Sequence, residues 1–448
     1  MKKIKIFFLL LFLVLVAVVF LNYEKLNIIS GYASKNTASN TFLVNRDHES
    51  IIQEDLNFSP IDLADTKIDA SSYSVEASVF GFMTREAVFR QGLGAVLVND
   101  SYDPSKPYLK PNRNFTKNEN SYPYNISSVK DRLLTSVDFN ALNEVVSSAF
   151  DVPGSDATPR QTRAVVVLYK NRLIAEQYAP GFDKNTLLLG WSMTKSIQST
   201  MIGVLVDRMN FDIYAPAPIV EWEGDKRKNI TTHNLLQMNS GLEWEEDYNT
   251  ISDVTKMLFL DSDMTQAQID KPLAYEPNTH WNYSSGTTNL LSRIIRNQFD
   301  SHQAYLDFPY ESFIDRIGMN SMVLEADLDG NYVGSSYGWA TARDWAKFGL
   351  LYLNRGNWNG EKIFDESWVD YVTQATPTSE GIYGGQFWLN AGGDYPDLPL
   401  NMFSCNGYQG QRISMFPDQD LVVVRLGLGD EEVFDFQEFH LGILDAIK

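Results

Sequence analysis

Ser192 and Lys195 stand three residues apart in the stretch Gly190-Trp191-Ser192-Met193-Thr194-Lys195. The residues that follow have helical spacing: Ile197, Met201, Val204 and Leu205 are apolar, with Gln198 and Thr200 between them. Positions three apart share a helix face, so the hydroxyl and the amine come within reach of one another. A lysine kept neutral by burial can take the hydroxyl proton and turn the oxygen into a nucleophile. This chemistry needs neither histidine nor metal. Ser192 falls in the first turn, where free N–H groups and the helix dipole favour developing negative charge. The spacing alone is common, and its surroundings must carry the case.

Composition narrows the alternatives. The chain has 448 residues, 44% of them apolar, enough to bury a large core. A net charge of -20 argues against a nucleic-acid partner, because phosphate neutralisation needs a basic surface. The five histidines (His48, His233, His280, His302, His440) fall at no metal-binding spacing, so neither a metal nor another cofactor is expected. Cys405 is the one cysteine; it reads as a small buried hydrophobe and forms no internal disulfide.

The chain opens on Met1-Lys2-Lys3-Ile4-Lys5, followed by an apolar run from Ile6 to Leu21. Basic residues before an apolar segment stay on the cytoplasmic side. Residues 1–28 therefore read as a membrane anchor or signal segment, with an uncleaved anchor favoured and the body of the protein outside the cytoplasmic membrane. Residues 29–130 read as an extension and linker: a polar spacer to about Asn40, short strands between Val75 and Leu97, and a Pro-rich loop from Tyr102 to Asn125.

Residues 131–448 read as the main domain. A helix is expected within Leu133 to Phe150, then a hairpin of Ala164–Tyr169 and Leu173–Tyr178 turning at Lys170-Asn171. A mostly helical stretch runs to about Leu353. Strands return at Gln411–Phe416 and Leu421–Leu426, and a last helix covers roughly Glu431 to Ile447. One antiparallel sheet built from both ends of the domain, flanked by helices and carrying a helical insertion, satisfies this order.

These pieces resemble the serine β-lactamase and penicillin-binding superfamily. Within it they resemble the class C-like branch of esterases and 6-aminohexanoate-dimer hydrolases. The resemblance spans roughly Leu133 to Lys448. It rests on Ser192-Met193-Thr194-Lys195, on Tyr283-Ser284-Ser285 after Pro277–Asn282, and on Gly407-Tyr408-Gln409-Gly410-Gln411. Leu235–Leu242 and Ala340–Gly349 support it. It implies an α+β, three-layer α/β/α sandwich and acyl transfer through an acyl-enzyme on Ser192. Lys195 and Tyr283 would shuttle the proton. A tyrosine titrates near 10, so one acting as base needs positive charge nearby. The N–H groups of Ser192 and Gln411 would form the oxyanion hole. Ser285, Tyr408, Gln409 and Gly410 would hold the network or the substrate. Tyr408-Gln409 replaces the cation and threonine of relatives, which shifts the expected substrate from β-lactams towards other small esters and amides. A penicillin-binding or β-lactamase role, or a membrane-tethered binding protein of the same fold, is the alternative.

A second serine enters through Gly334-Ser335-Ser336-Tyr337-Gly338, which matches the G-x-S-x-G nucleophile elbow. The elbow needs a buried strand before it, and the polar loop Ala326–Asn331 stands there instead.

Overall fold

The turn Lys170-Asn171 takes left-handed φ values of 48° and 60°, as a two-residue hairpin requires. Thr162–Tyr169 and Arg172–Tyr178 accordingly pair antiparallel. They sit at one side of a six-stranded sheet in a computed structural model that describes residues 2–21, 23–100, 102–115, 123, 136–152, 154 and 158–447. Leu421–Gly427 pairs with Thr162–Tyr169 on one side and with Gln411–Phe416 on the other. Phe403–Gly407 and the short strand Trp388–Leu389 complete the sheet, so both ends of the domain build it.

Alternation along these strands divides the core. Val165, Val167 and Val423 face the helices Phe139–Ser148 and Phe436–Ala446, packing on Leu142, Val146, Phe439 and Ile443. Val166, Leu168, Val422 and Val424 face the opposite way, towards Ile197 on the helix Thr194–Met209 and Phe348 on the helix Ala342–Leu353. This is the expected three-layer arrangement, and the helical region between Thr194 and Leu353 lies against the second face.

The N-terminal part departs from expectation. Tyr23–Ala38 is a helix, where the sequence suggested a spacer, and Ile28 to Ala38 are buried. It packs on an antiparallel sheet of Ala64–Asp69, Ser74–Val79, Phe82–Arg90 and Gly94–Leu97. Polar residues on this helix are buried because their partners lie far along the chain. Lys35 pairs with Glu325, whose Oε1 also accepts from Ser39 Oγ and from the Ala95 N–H, each at 2.8 Å. Arg163, on the central sheet, donates to Asp55 at 2.8 Å. The extension is thereby stapled to the main domain at two buried charge clusters. Its helix also runs across the 28/29 division expected from sequence, and the division at 130/131 lies outside the described residues.

Lys2–Leu21 is helical, with Ile4 to Val14 exposed. Among the described residues, no helix is long and apolar enough to cross a membrane.

Candidate active site

Ser192 sits in a single helical turn, Trp191–Met193, leading into Thr194–Met209. Trp191 before it adopts φ 47°, a left-handed backbone that bulky residues avoid. Its ring is held on both sides: Tyr32 of the N-terminal helix stacks on it at 6.2 Å, and Tyr408 meets it edge-on at 5.7 Å. Gly190 is required just upstream, since a Cβ there would lie 2.4 Å from the Trp345 ring.

Lys195 is 1% exposed. Its Nζ lies 3.0 Å from Ser192 Oγ, 3.0 Å from Ser285 Oγ and 2.9 Å from the Ser335 carbonyl oxygen. Burial pushes its pKa down to about 8, against the opposing pull of Glu246. A neutral amine has two protons and one lone pair. Donation to Ser335 and Ser285 leaves the lone pair for the Ser192 proton.

Tyr283-Ser284-Ser285 is positioned by a helix cap. Ser284 is the N-cap, accepting from the Thr287 N–H at 2.9 Å, and Ser285 opens the helix Ser285–Arg296. Tyr283 is left at the mouth, hydrogen-bonded to Ser192, with Lys195 Nζ 4.8 Å from its ring centre. Its phenol is raised well above the usual tyrosine range, by burial first and then by Glu246. The hydrogen bond to Ser192, the one lowering cause, is outweighed, and Tyr283 is a neutral phenol here.

Glu246 belongs to no motif singled out from the sequence. Its carboxylate accepts from the Ser285 N–H at 2.8 Å, from Tyr248 OH at 2.9 Å, and from Ser285 Oγ and Trp244 Nε1. It thus stands one hydroxyl behind Lys195.

Ser192 and Tyr283 open onto a cleft of about 370 Å³. Tyr408, Gln409 and Gly410 line it, as do Trp388 and Arg412. Gln411 does not. Its side chain turns away to bond Gly427, donating Nε2 to the carbonyl oxygen and accepting the N–H at 3.1 Å. The backbone held against the nucleophile turn is Gly407, where a Cβ would come within 2.1 Å of the Gly190 carbonyl oxygen. The cation absent at Tyr408-Gln409 is supplied nearby by Arg412, which is paired with Glu431; Asp394 and Asp430 leave the rim acidic.

Ser336 has a different setting. It is 1% exposed and bonded to Ser335 Oγ at 2.8 Å, and the strand Gly338–Thr341 follows it rather than preceding it. The segment's contribution to the site is the Ser335 carbonyl on Lys195.

Residues 154–444 match the family described as Beta-lactamase. The chain belongs to that family. It is 24% identical over 302 residues to the 6-aminohexanoate-dimer hydrolase of Paenarthrobacter ureafaciens, covering 59% of this chain and 72% of that one. Two solved structures share the fold. A penicillin-binding protein homologue from Caulobacter crescentus has a TM-score of 0.54 at 15% identity, covering 69% of this chain and 97% of that one. A family VIII carboxylesterase has a TM-score of 0.53 at 15% identity, covering 69% and 96%. This Beta-lactamase family member therefore has hydrolases among its relatives.

Proposed function

We propose that the protein is a serine hydrolase that cleaves small esters or amides through an acyl-enzyme on Ser192. The observation that carries this is the buried Lys195 amine, 3.0 Å from Ser192 Oγ with its pKa brought down to about 8. Roughly a tenth of such lysines are neutral at pH 7, enough to serve as general base. Lys195 takes the Ser192 proton as Oγ attacks the carbonyl carbon. The tetrahedral oxyanion lies at the Ser192 N–H, and the second donor is assigned to the backbone at Gly407–Tyr408, in place of Gln411. The leaving oxygen or nitrogen takes a proton from the Tyr283 phenol, and the Lys195 ammonium, 4.8 Å from that ring, returns a proton to the phenolate. Water then attacks the acyl-enzyme by the same groups in reverse, releasing the acid.

The acidic rim of Asp394, Asp430 and Glu431, with Arg412 already paired, disfavours anionic substrates. Neutral or cationic acyl compounds fit it better than the carboxylate of a β-lactam. The 6-aminohexanoate-dimer hydrolase relative makes linear amides a natural class to test beside esters.

A panel of p-nitrophenyl esters, nitrocefin and linear amides on wild type and Ser192→Ala tests the reading, together with fluorophosphonate labelling. Turnover and labelling are expected in the wild type and in neither assay for the variant. Full turnover by Ser192→Ala would overturn it. An extracytoplasmic, membrane-tethered location is a separate proposal, resting on the basic and apolar pattern of residues 1–21. A C-terminal alkaline phosphatase fusion, active only outside the cytoplasm, checks it.

A further inference from the structure

A second cavity of about 200 Å³ adjoins the cleft that Ser192 lines. The two share a partition made of Tyr248 and Tyr408, whose rings stack at 5.4 Å and 19° and line both spaces. Ser192 lines the cleft and the adjacent Trp191 lines the second cavity, so the two spaces meet within one residue of the nucleophile.

The far wall belongs to the N-terminal extension. Ile28, Ile29 and Tyr32 of its helix face Phe259 of the main domain, with Phe58 closing the edge. Tyr32 lies 5.6 Å from both Phe58 and Phe259. The walls are mainly aromatic and branched aliphatic; Ser59, Asn249, Thr250 and Thr255 add polar groups, and Lys25 is the single charged residue lining them. A concave space walled largely by aromatic rings, sharing that partition with a site of convergent polar groups, has the character of a ligand subsite.

We propose that this cavity receives the apolar arm of the substrate's acyl group, and that the N-terminal extension sets acyl-chain preference. The inference rests on the hydrolase reading above. It names the substrate class as esters or amides of medium-chain or aryl-substituted acids. It also gives the extension a role in specificity that the main domain alone cannot fill, because half of the cavity wall would be missing.

The test uses the full chain and p-nitrophenyl acetate, butyrate, hexanoate and octanoate. Each methylene buried is worth about fourfold in kcat/KM. The wild type is expected to gain at least tenfold from acetate to octanoate. Ile29→Trp, which fills the cavity from the extension side, is expected to lose that gain while changing acetate turnover less than twofold. Phe58→Ala, at the half-buried edge, is expected to move the optimum to a longer chain. Inhibition of the wild type by methyl- and octylboronic acid gives a readout independent of any variant's folding, with the octyl compound at least tenfold tighter. Equal inhibition by the two boronic acids, or an undiminished octanoate gain in Ile29→Trp, would overturn the proposal. Activity that survives in Ser192→Ala would instead overturn the hydrolase reading, so the two failures are separable.

Discussion

Replacing Glu246 by Gln removes one negative charge from behind the catalytic lysine while keeping the side-chain shape. Lys195 Nζ lies 3.0 Å from Ser285 Oγ, which in turn donates to Glu246. Two such links place the charges roughly 5 Å apart. At an effective dielectric of about 20, a pair at that separation interacts by ~3 kcal/mol, or about two pKa units, as an upper bound. Glu246 raises the lysine pKa, so its loss lets burial depress the amine further below about 8. On the proposed mechanism neutral Lys195 is the active form, and kcat/KM is expected to rise with pH as it deprotonates. The wild-type midpoint is therefore expected near 8, and that of Glu246→Gln about one to two units lower. At pH 7 the neutral fraction would climb from roughly a tenth to half or more, a gain of about fivefold. The assay is kcat/KM for p-nitrophenyl acetate between pH 5.5 and 9.5, with a thermal melt to confirm folding. An unmoved or raised midpoint in a folded variant would refute the electrostatic coupling.

Three further outcomes are expected. Gly407→Ala drives a methyl group onto the Gly190 carbonyl, and kcat should fall about 10²-fold or more with KM little changed; a normal kcat would show that this backbone does not support the oxyanion. Glu325→Ala strands the buried Lys35 ammonium and should cost about 3–5 kcal/mol in urea unfolding, while a loss under 1 kcal/mol would mean the extension is held by other contacts. Burial, then Arg412, brings the His440 pKa down to about 3, so the folded state keeps it neutral while the unfolded chain protonates near 6.5. Stability is present above 6.5 and lost as pH falls towards 3, by ~2 kcal/mol at pH 5, and His440→Phe should flatten that limb; an unchanged acid slope in His440→Phe would count against it.

Local spacing made much of the site legible. Ser192 and Lys195 share a face because they open a helix, and Tyr283 and Ser285 flank an N-cap serine; both depend only on neighbours in sequence. The hairpin at Lys170-Asn171 and the valine-rich strands likewise announced the central sheet through turn chemistry and β-branched residues. Features set by distant partners were hidden. Ser30, Ser34, Lys35 and Asn36 gave Tyr23–Ala38 a polar look, yet all are buried, and Lys35 is buried against Glu325, 290 positions away. Glu246 stands out only once the donors from Trp244, Tyr248 and the distant Ser285 converge on it. Gln411 was singled out for its N–H by counting on from Gly410; what local spacing did not show is that its side chain bonds Gly427, sixteen residues on.

The ring of Tyr32 against Trp191 bears on how this protein could be shortened. The family match begins at residue 154, and a minimal catalytic fragment would naturally be cut near there. Such a cut discards the ring that braces a left-handed tryptophan beside the nucleophile, along with the acidic partner of Arg163. A fragment that keeps this brace is expected to begin at the Tyr23–Ala38 helix, some 130 residues upstream of where the family match begins.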